Sequence, residues 1–256
     1  MIRATIAVAT ATAALAGCRV DDLELAGRRC PCVAGWSCNP ATDTCERDPT
    51  AVDAPVTDGG LDDDALAGTS CLGAPAGALL YGNDFADLIG WLTRGGTWAA
   101  TDSEAVQSQT SAMAYAYPAG TNGFTAYRTA ARMRATMGGT GAMGLVARAQ
   151  DGNDGRFRCT WTPATGDLQL QWIRNNGPVG GTLGMVHVDL AAVPGYDPAA
   201  TVTMELKADG AALACCLREV PGASVTGSDT RYPTGAPGLE TVSMPAAFDD
   251  FRVNGP

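Results

Sequence analysis

The chain has 256 residues, a formal net charge of −10, 32 glycines and 15 prolines. That length allows one domain of roughly 180 residues plus short appendages, and the frequent glycine and proline favour many short strands over long helices. Because no basic patch is large enough to neutralise several phosphates, we expect no nucleic-acid partner.

Residues 1–17 have the features of an export signal. Arg3 precedes an uncharged apolar run that is shorter than the ~20 residues needed to span a bilayer. The run ends in Leu15-Ala16-Gly17-Cys18, which resembles the bacterial lipobox. The resemblance implies acylation of the cysteine, an anchor segment over residues 18–29 and, from Arg19 in the next position, the outer membrane or cell surface. The alternative is an ordinary signal peptide or a membrane-adjacent helix with a chance cysteine.

Nine cysteines are present, and eight remain once Cys18 is assigned to the lipid. In an exported chain this even number predicts four disulfide bonds. Four of the eight cysteines form a cysteine-rich knot over residues 30–45: Cys30, Cys32, Cys38 and Cys45. The first two are too close in sequence to join each other, so two pairings with the last two remain. The knot resembles the C-terminal part of an EGF-like module, and a zinc site of four thiolates is the alternative.

The other four cysteines are Cys71, Cys159, Cys215 and Cys216. Cys159 alternates with two aromatic residues and Cys215 with two leucines, so each lies on an apolar strand face. We therefore expect a Cys159–Cys215 bridge, which leaves Cys216, on the opposite face, for Cys71. The swapped pairing and a bridge between the two adjacent cysteines are the alternatives.

The composition of residues 46–70 predicts an acidic, disordered linker. The segment has two prolines, a glycine pair and no aromatic residue, and it carries six aspartates with no basic residue from position 48 onward. Such a segment cannot repay the entropy of folding, so we expect a spacer. A calcium-binding loop over residues 58–64 is the alternative, although the EF-hand pattern is missing.

Period-two alternation predicts a series of strands from residue 79 to the end of the chain. The predicted strands cover residues 79–85, 124–133, 142–149, 156–162, 168–174, 201–207, 211–217 and 248–253. Glycine- and aspartate-rich turns over 151–155, 163–167 and 208–210 join neighbouring strands as hairpins.

Several of these features together resemble the concanavalin A-like lectin and glucanase family. They are an opening strand that ends in Asp84-Phe85, Trp91, the Asp151-Gly152-Asn153 hairpin, the Phe157-x-Cys159-x-Trp161 strand and the closing segment 248–253. The resemblance covers roughly residues 77–255. It implies an all-β fold over residues 71–256, a two-sheet antiparallel jelly-roll sandwich whose last strand lies beside its first. An immunoglobulin-like sandwich is the structural alternative, and it would need fewer residues.

The sequence argues against catalysis. Laminarinase-type members of that family carry Glu-x-Asp-x-x-Glu, whose carboxylates serve as nucleophile and acid/base, and this motif is absent here. His187 is the only histidine, which excludes a multi-histidine metal site. It could act as a base beside Asp189, but the simpler interpretation is a strand residue that faces solvent.

Structural calcium is the only cofactor that the family resemblance implies. Asp249, at the start of the last strand, matches a calcium ligand of the laminarinase-type enzymes, and Asp84 on the opening strand could lie close to it. The adjacent carboxylates of Asp249 and Asp250 repel each other unless a cation or an arginine compensates. The alternative is that Asp250 and Arg252 face solvent at a sheet edge.

Strand parity also predicts a polar face that could bind a ligand. Its residues alternate with apolar positions of adjacent strands, and they are Arg148, Arg158, Gln169 and Gln171. Arginine and glutamine offer planar donors that suit sugar hydroxyls. Parity places Trp172 on the core side. A polar face that serves only solubility is the alternative.

Three functions follow from these features. The first is a non-catalytic module, held to the lipid bilayer through acylated Cys18, that binds carbohydrate or a surface protein. The second is a structural or interaction lipoprotein with no small ligand, which the lack of an aromatic platform favours. The third, a glycoside hydrolase-like enzyme, is weakened by the missing carboxylate pair.

Overall fold

The computed structural model describes residues 36–39, 44–47, 70–73, 77–110, 113–138, 140–151, 155–174 and 179–256. The chain divides into two compact units, residues 1–57 and 58–256. In the first unit, β1 (Trp36–Asn39) and β2 (Thr44–Arg47) form an antiparallel hairpin in which Cys38 lies opposite Cys45. The predictions for Cys18, for the bonding of the knot and for the linker up to residue 69 lie outside the described residues and side chains.

The described residues of the second unit form fifteen strands and one short 3₁₀ turn (Leu190–Ala192). The strands are β3 (Leu79–Asn83), β4 (Trp91–Arg94), β5 (Trp98–Thr101), β6 (Glu104–Gln107), β7 (Met113–Pro118), β8 (Tyr127–Ala135), β9 (Ala142–Ala149), β10 (Arg156–Thr162), β11 (Asp167–Arg174), β12 (Val179–His187), β13 (Val202–Asp209), β14 (Ala212–Leu217), β15 (Ser224–Ser228), β16 (Ala236–Val242) and β17 (Ala246–Asn254). No helix in the described part of the chain is long and apolar enough to cross a membrane.

These strands form two antiparallel sheets. The seven-stranded sheet has the order β12-β11-β10-β9-β16-β7-β4, and the eight-stranded sheet has the order β15-β14-β13-β8-β17-β6-β5, with β3 paired to β17. The predicted hairpins β9–β10, β10–β11 and β13–β14 are confirmed, and the closing strand lies beside the opening one as the resemblance implied. The fold is an all-β antiparallel jelly-roll sandwich.

The core lies between the two sheets and is built from alternate residues of each strand. Phe157, Cys159 and Trp161 of β10 are fully buried in it, with Leu168 and Leu170 of β11 opposite. At one end Phe85, Trp91 and Phe251 form an aromatic cluster with ring centroids 5.1–6.4 Å apart. Fully burying one such side chain contributes about 1.5–3 kcal/mol, so the alternation drives the two sheets together.

Two disulfide bonds tie the sandwich together, and both follow the expected pairing. Cys159 of β10 is joined to Cys215 of β14, so this bridge connects the two sheets through the core. Cys71 is joined to Cys216, which lies opposite Glu205 on the outer face of the eight-stranded sheet. Cross-links of this kind typically stabilise a domain by about 2–4 kcal/mol.

Candidate functional site

The outer face of the seven-stranded sheet carries a row of polar side chains on the hairpin strands β10 and β11. In the register of β10 and β11, Arg158 lies opposite Gln171 and Thr160 lies opposite Gln169. The residues between them point into the core. The parity predicted from the sequence is therefore confirmed for Arg158, Gln169 and Gln171, which share one face.

A groove of about 370 Å³ runs over this face. Its walls come from β10, β11, the residues that precede β9 and the end of β16. They include Gly141, Arg158, Thr160, Gln169, Gln171 and Ser243. Gly144 lies beside Thr160 on one side and Glu240 on the other. A Cβ atom there would lie 1.9 Å from the carbonyl oxygen of Cys159, so only glycine fits this position of the sheet.

A buried charge network fixes the arginine of this groove. The Glu240 carboxylate accepts hydrogen bonds from Arg156 Nε at 2.9 Å, Arg156 Nη2 at 2.7 Å and Arg158 Nη1 at 3.0 Å. Arg158 Nε donates to Gln171 Oε1 at 2.9 Å. Burial alone would raise the pKa of Glu240, but Arg156 and Arg158 more than offset it and hold that pKa below its ordinary value. The carboxylate is therefore ionised and orients both guanidinium groups.

Two aromatic residues of β7 flank the network. The Tyr115 and Tyr117 rings are stacked with centroids 5.8 Å apart, and the Arg156 guanidinium carbon lies 4.0 Å from the Tyr115 ring centroid. Both rings are buried, and Tyr117 donates from its hydroxyl to Asp151 at 2.5 Å. Neither these tyrosines nor Glu240 was among the predicted site residues. The alternation of Tyr115 and Tyr117 with alanine was the signal that could have located this strand.

Arg148 does not belong to this face, and its predicted place there is wrong. Arg148 has a positive φ of 54°, and the pairing of β9 with β16 shifts register at this point. This β-bulge reverses the parity of the strand end. The guanidinium group points into the end of the sandwich, where it donates to the carbonyl oxygens of Tyr232 at 2.9 Å and Thr125 at 2.8 Å, and Arg148 is 1% exposed.

Arg158 is also less accessible than strand parity suggested: only 9% of the residue is exposed. Its Nη2 group nevertheless has no hydrogen-bond partner among the described residues, and neither does the amide nitrogen of Gln171. Since Gln171 gives its oxygen to Arg158, its amide nitrogen is the atom left to meet a ligand. The face thus offers planar donors whose orientation is set before a ligand arrives.

The aspartates assigned to calcium occupy different environments. Asp84 is half-buried and accepts a hydrogen bond from the backbone of Ala86. Asp249 lies 3.7 Å and Asp250 lies 3.3 Å from Arg132 Nη1, so an arginine compensates the paired carboxylates. Burial, and then the charge of Asp250, raise the pKa of Asp249. The calcium site stays a prediction.

Two other sets of potential ligands are engaged with protein groups. His187 Nδ1 lies 2.9 Å from Asp167, rather than beside Asp189, and its side chain is 64% exposed. Within the described residues, the one cluster of three potential metal ligands is Cys71, Cys216 and Glu205. Because the two cysteines are disulfide-bonded, they are not available as thiolate ligands.

No protein-family model matches this sequence, and no curated protein matches it. Among solved structures, the sandwich is similar to the carbohydrate-binding module CBM66 from Bacillus subtilis, with a TM-score of 0.54 and 15% identity over 65% of this chain and 96% of that one. It is also similar to a Bacillus subtilis protein of unknown function with a galectin-like fold, with a TM-score of 0.53 and 17% identity over 71% of this chain and 97% of that one. At such low identities the likeness establishes the fold.

Proposed function

We propose that this protein is a carbohydrate-binding module and that its ligand lies in the groove over β10 and β11. The observation that carries the proposal is the Arg158–Gln171 pair in the groove wall. The buried, ionised Glu240 carboxylate orients Arg158, which in turn bonds Gln171. A solved structure with the same fold is named as a carbohydrate-binding module, which supports the same assignment.

The chemistry of the groove suits a sugar with neighbouring hydroxyl groups. Arg158 Nη2 and the Gln171 amide nitrogen are donors, and Gln169 and Thr160 add amide and hydroxyl groups that both donate and accept. Because buried Glu240 holds the guanidinium group, binding costs little side-chain entropy.

We further propose that the protein does not hydrolyse its ligand. Retaining and inverting glycosidases need one carboxyl group that can donate a proton and a second that acts as nucleophile or base. Glu240, the carboxylate of the charge network, is fully buried and binds two arginines that favour its ionised form. Such a group is poorly suited to general acid catalysis.

The lipid-anchored location at the outer membrane or cell surface belongs to the same proposal. Its support is the Leu15-Ala16-Gly17-Cys18 motif together with the two disulfide bonds, which persist in oxidising compartments outside the cytoplasm.

A glycan array probed with the purified protein, followed by calorimetric titration of the best ligand, tests the binding site. Gln171→Ala should weaken binding about tenfold, the loss expected for a polar contact of ~1.4 kcal/mol. Arg134→Ala, an arginine of the opposite sheet that pairs with Glu104, is the matched control and should bind normally. Wild-type affinity in Gln171→Ala would place the site elsewhere, and no binding to any glycan would refute the proposed function.

A further inference from the structure

A second pocket lies at one end of the sandwich, away from the groove. It has a volume of about 330 Å³ and is lined by Trp172, Arg174, Val179, Arg231 and Tyr232. Trp172 and Arg174 end β11, Val179 begins β12, and the last two residues follow β15. Trp172 lies next to Gln171 in β11, and successive residues of a strand point to opposite faces, so this pocket is separate from the groove.

The charge of this pocket is opposite to that of the whole chain. Two of its five lining residues are arginines, and none is acidic, in a protein with a net charge of −10. The nearby Asp229 carboxylate is already engaged, because it accepts hydrogen bonds from the backbone nitrogen and from Nη1 of Arg231. Arg174 forms no hydrogen bond or ion pair with any described residue. Asp229 therefore neutralises Arg231, while no described carboxylate neutralises Arg174.

The walls of the pocket are rigidly placed. The guanidinium carbon of Arg231 lies 4.1 Å from the Trp172 ring centroid, a cation–π contact. Tyr232 donates from its hydroxyl to the carbonyl oxygen of Ile173 at 2.9 Å. Gly181 packs so closely against the indole that a Cβ atom there would lie 2.5 Å from Trp172 Nε1. Burial raises the pKa of Tyr232, while the charges of Arg174 and Arg231 act in the opposite direction.

We propose that this pocket is a second binding site and that it takes a carboxylate-bearing sugar, such as a uronic acid residue. Arginine binds a carboxylate through parallel hydrogen bonds, and Arg231 keeps its Nε and Nη2 groups free of other described residues. Val179, which is 42% exposed, and the small exposed part of Tyr232, which is 8% exposed, provide apolar surface for a sugar ring. A phosphate group would satisfy the arginines equally well but would leave this apolar wall unused.

The test uses the purified protein with trigalacturonate, the neutral galactotriose and inorganic phosphate as three separate probes. Binding is followed by calorimetry and by the NMR signal of the Trp172 indole N–H, assigned with Trp172→Phe. We expect trigalacturonate to shift this signal and the neutral sugar to leave it unchanged. Arg174→Gln should weaken trigalacturonate binding about tenfold or more, the usual loss for a charged hydrogen bond.

Arg94→Gln is the matched control, because among the described residues Arg94 bonds only the neighbouring Thr93 carbonyl, and it lies on the opposite edge of the same sheet. It should bind trigalacturonate normally, as should the groove variant Gln171→Ala. The second site is refuted if trigalacturonate does not bind, or if Gln171→Ala rather than Arg174→Gln abolishes binding. Phosphate binding of equal strength would overturn the assignment to a sugar. None of these outcomes depends on whether the groove itself binds neutral glycans.

Discussion

Replacing Glu240 with glutamine would leave two buried arginines without their countercharge. Glu240 and Arg156 both have fully buried side chains, and Arg158 is the second cation on the same carboxylate. Breaking a buried ion pair by removing one partner typically costs about 3–5 kcal/mol. For a domain of this size, each kcal/mol corresponds to about 2–4 °C in Tm, so we expect Glu240→Gln to lower the Tm by roughly 6–20 °C.

Glu104→Gln provides a control with the same chemistry at the surface. Glu104 also binds one arginine through two oxygens, but its side chain is 23% exposed and that of Arg134 is 39% exposed. Exposed pairs contribute only about 0–1 kcal/mol. Thermal and guanidinium unfolding of both variants, with the disulfides intact, should therefore separate them clearly.

The same pair of variants gives a test by pH. The folded-state pKa of Glu240 lies below its ordinary value of 4.5, so its contribution to stability is fully present above pH 4.5 and is lost as the pH falls through the folded-state pKa. The wild-type protein should lose its advantage over Glu240→Gln on acidification below pH 4.5. Equal Tm values for Glu240→Gln and Glu104→Gln at neutral pH, or a difference that does not shrink in acid, would refute the reasoning about this network.

Three further predictions concern the anchor, the core disulfide and the calcium site. Cys18→Ser should release the protein from the membrane fraction, and retention of this variant together with an unacylated wild-type N-terminal peptide would contradict the lipobox assignment. Replacing both Cys159 and Cys215 with alanine should lower the free energy of unfolding by about 2–5 kcal/mol, measured by guanidinium titration, and an unchanged midpoint would contradict a bridge between the sheets. Calcium should raise the Tm of the wild-type chain but not of Asp249→Asn; an equal response, or none in either protein, would argue against calcium at Asp249.

The strands that the sequence predicted are those in which apolar residues alternate without interruption. β9 and β10 were predicted with their observed bounds, and the two core cysteines followed from the same alternation. Where the backbone stays regular, parity also fixed the exposed side, as it did for Gln169 and Gln171. It failed at Arg148, because a bulge at positive φ leaves no mark in the alternation itself.

One strand that the sequence did not predict, β16, contains proline and glycine where the pattern should be clearest. β16 includes Pro237 and Gly238, residues that usually interrupt a strand, yet it lies between β9 and β7 in the sheet. Its pairing with β9 shifts register between Ala236 and Gly238, which accommodates the proline. A Cβ atom at Gly238 would lie 2.2 Å from the Ala116 carbonyl oxygen, so tertiary contact requires the glycine. Because β16 was missed, Glu240 and its network were missed as well.

The position at which the chain joins the sandwich has a consequence for the proposed binding surface. Ser70 donates a hydrogen bond to Glu205 at 2.6 Å and accepts one from Arg128 at 2.9 Å, and the next residue is bonded to Cys216. All of these contacts lie on the outer face of the eight-stranded sheet, whereas the groove lies on the outer face of the seven-stranded sheet. Ser70 and Cys71 are therefore fastened to the face opposite the groove, and none of their contacts uses a residue of the proposed binding surface.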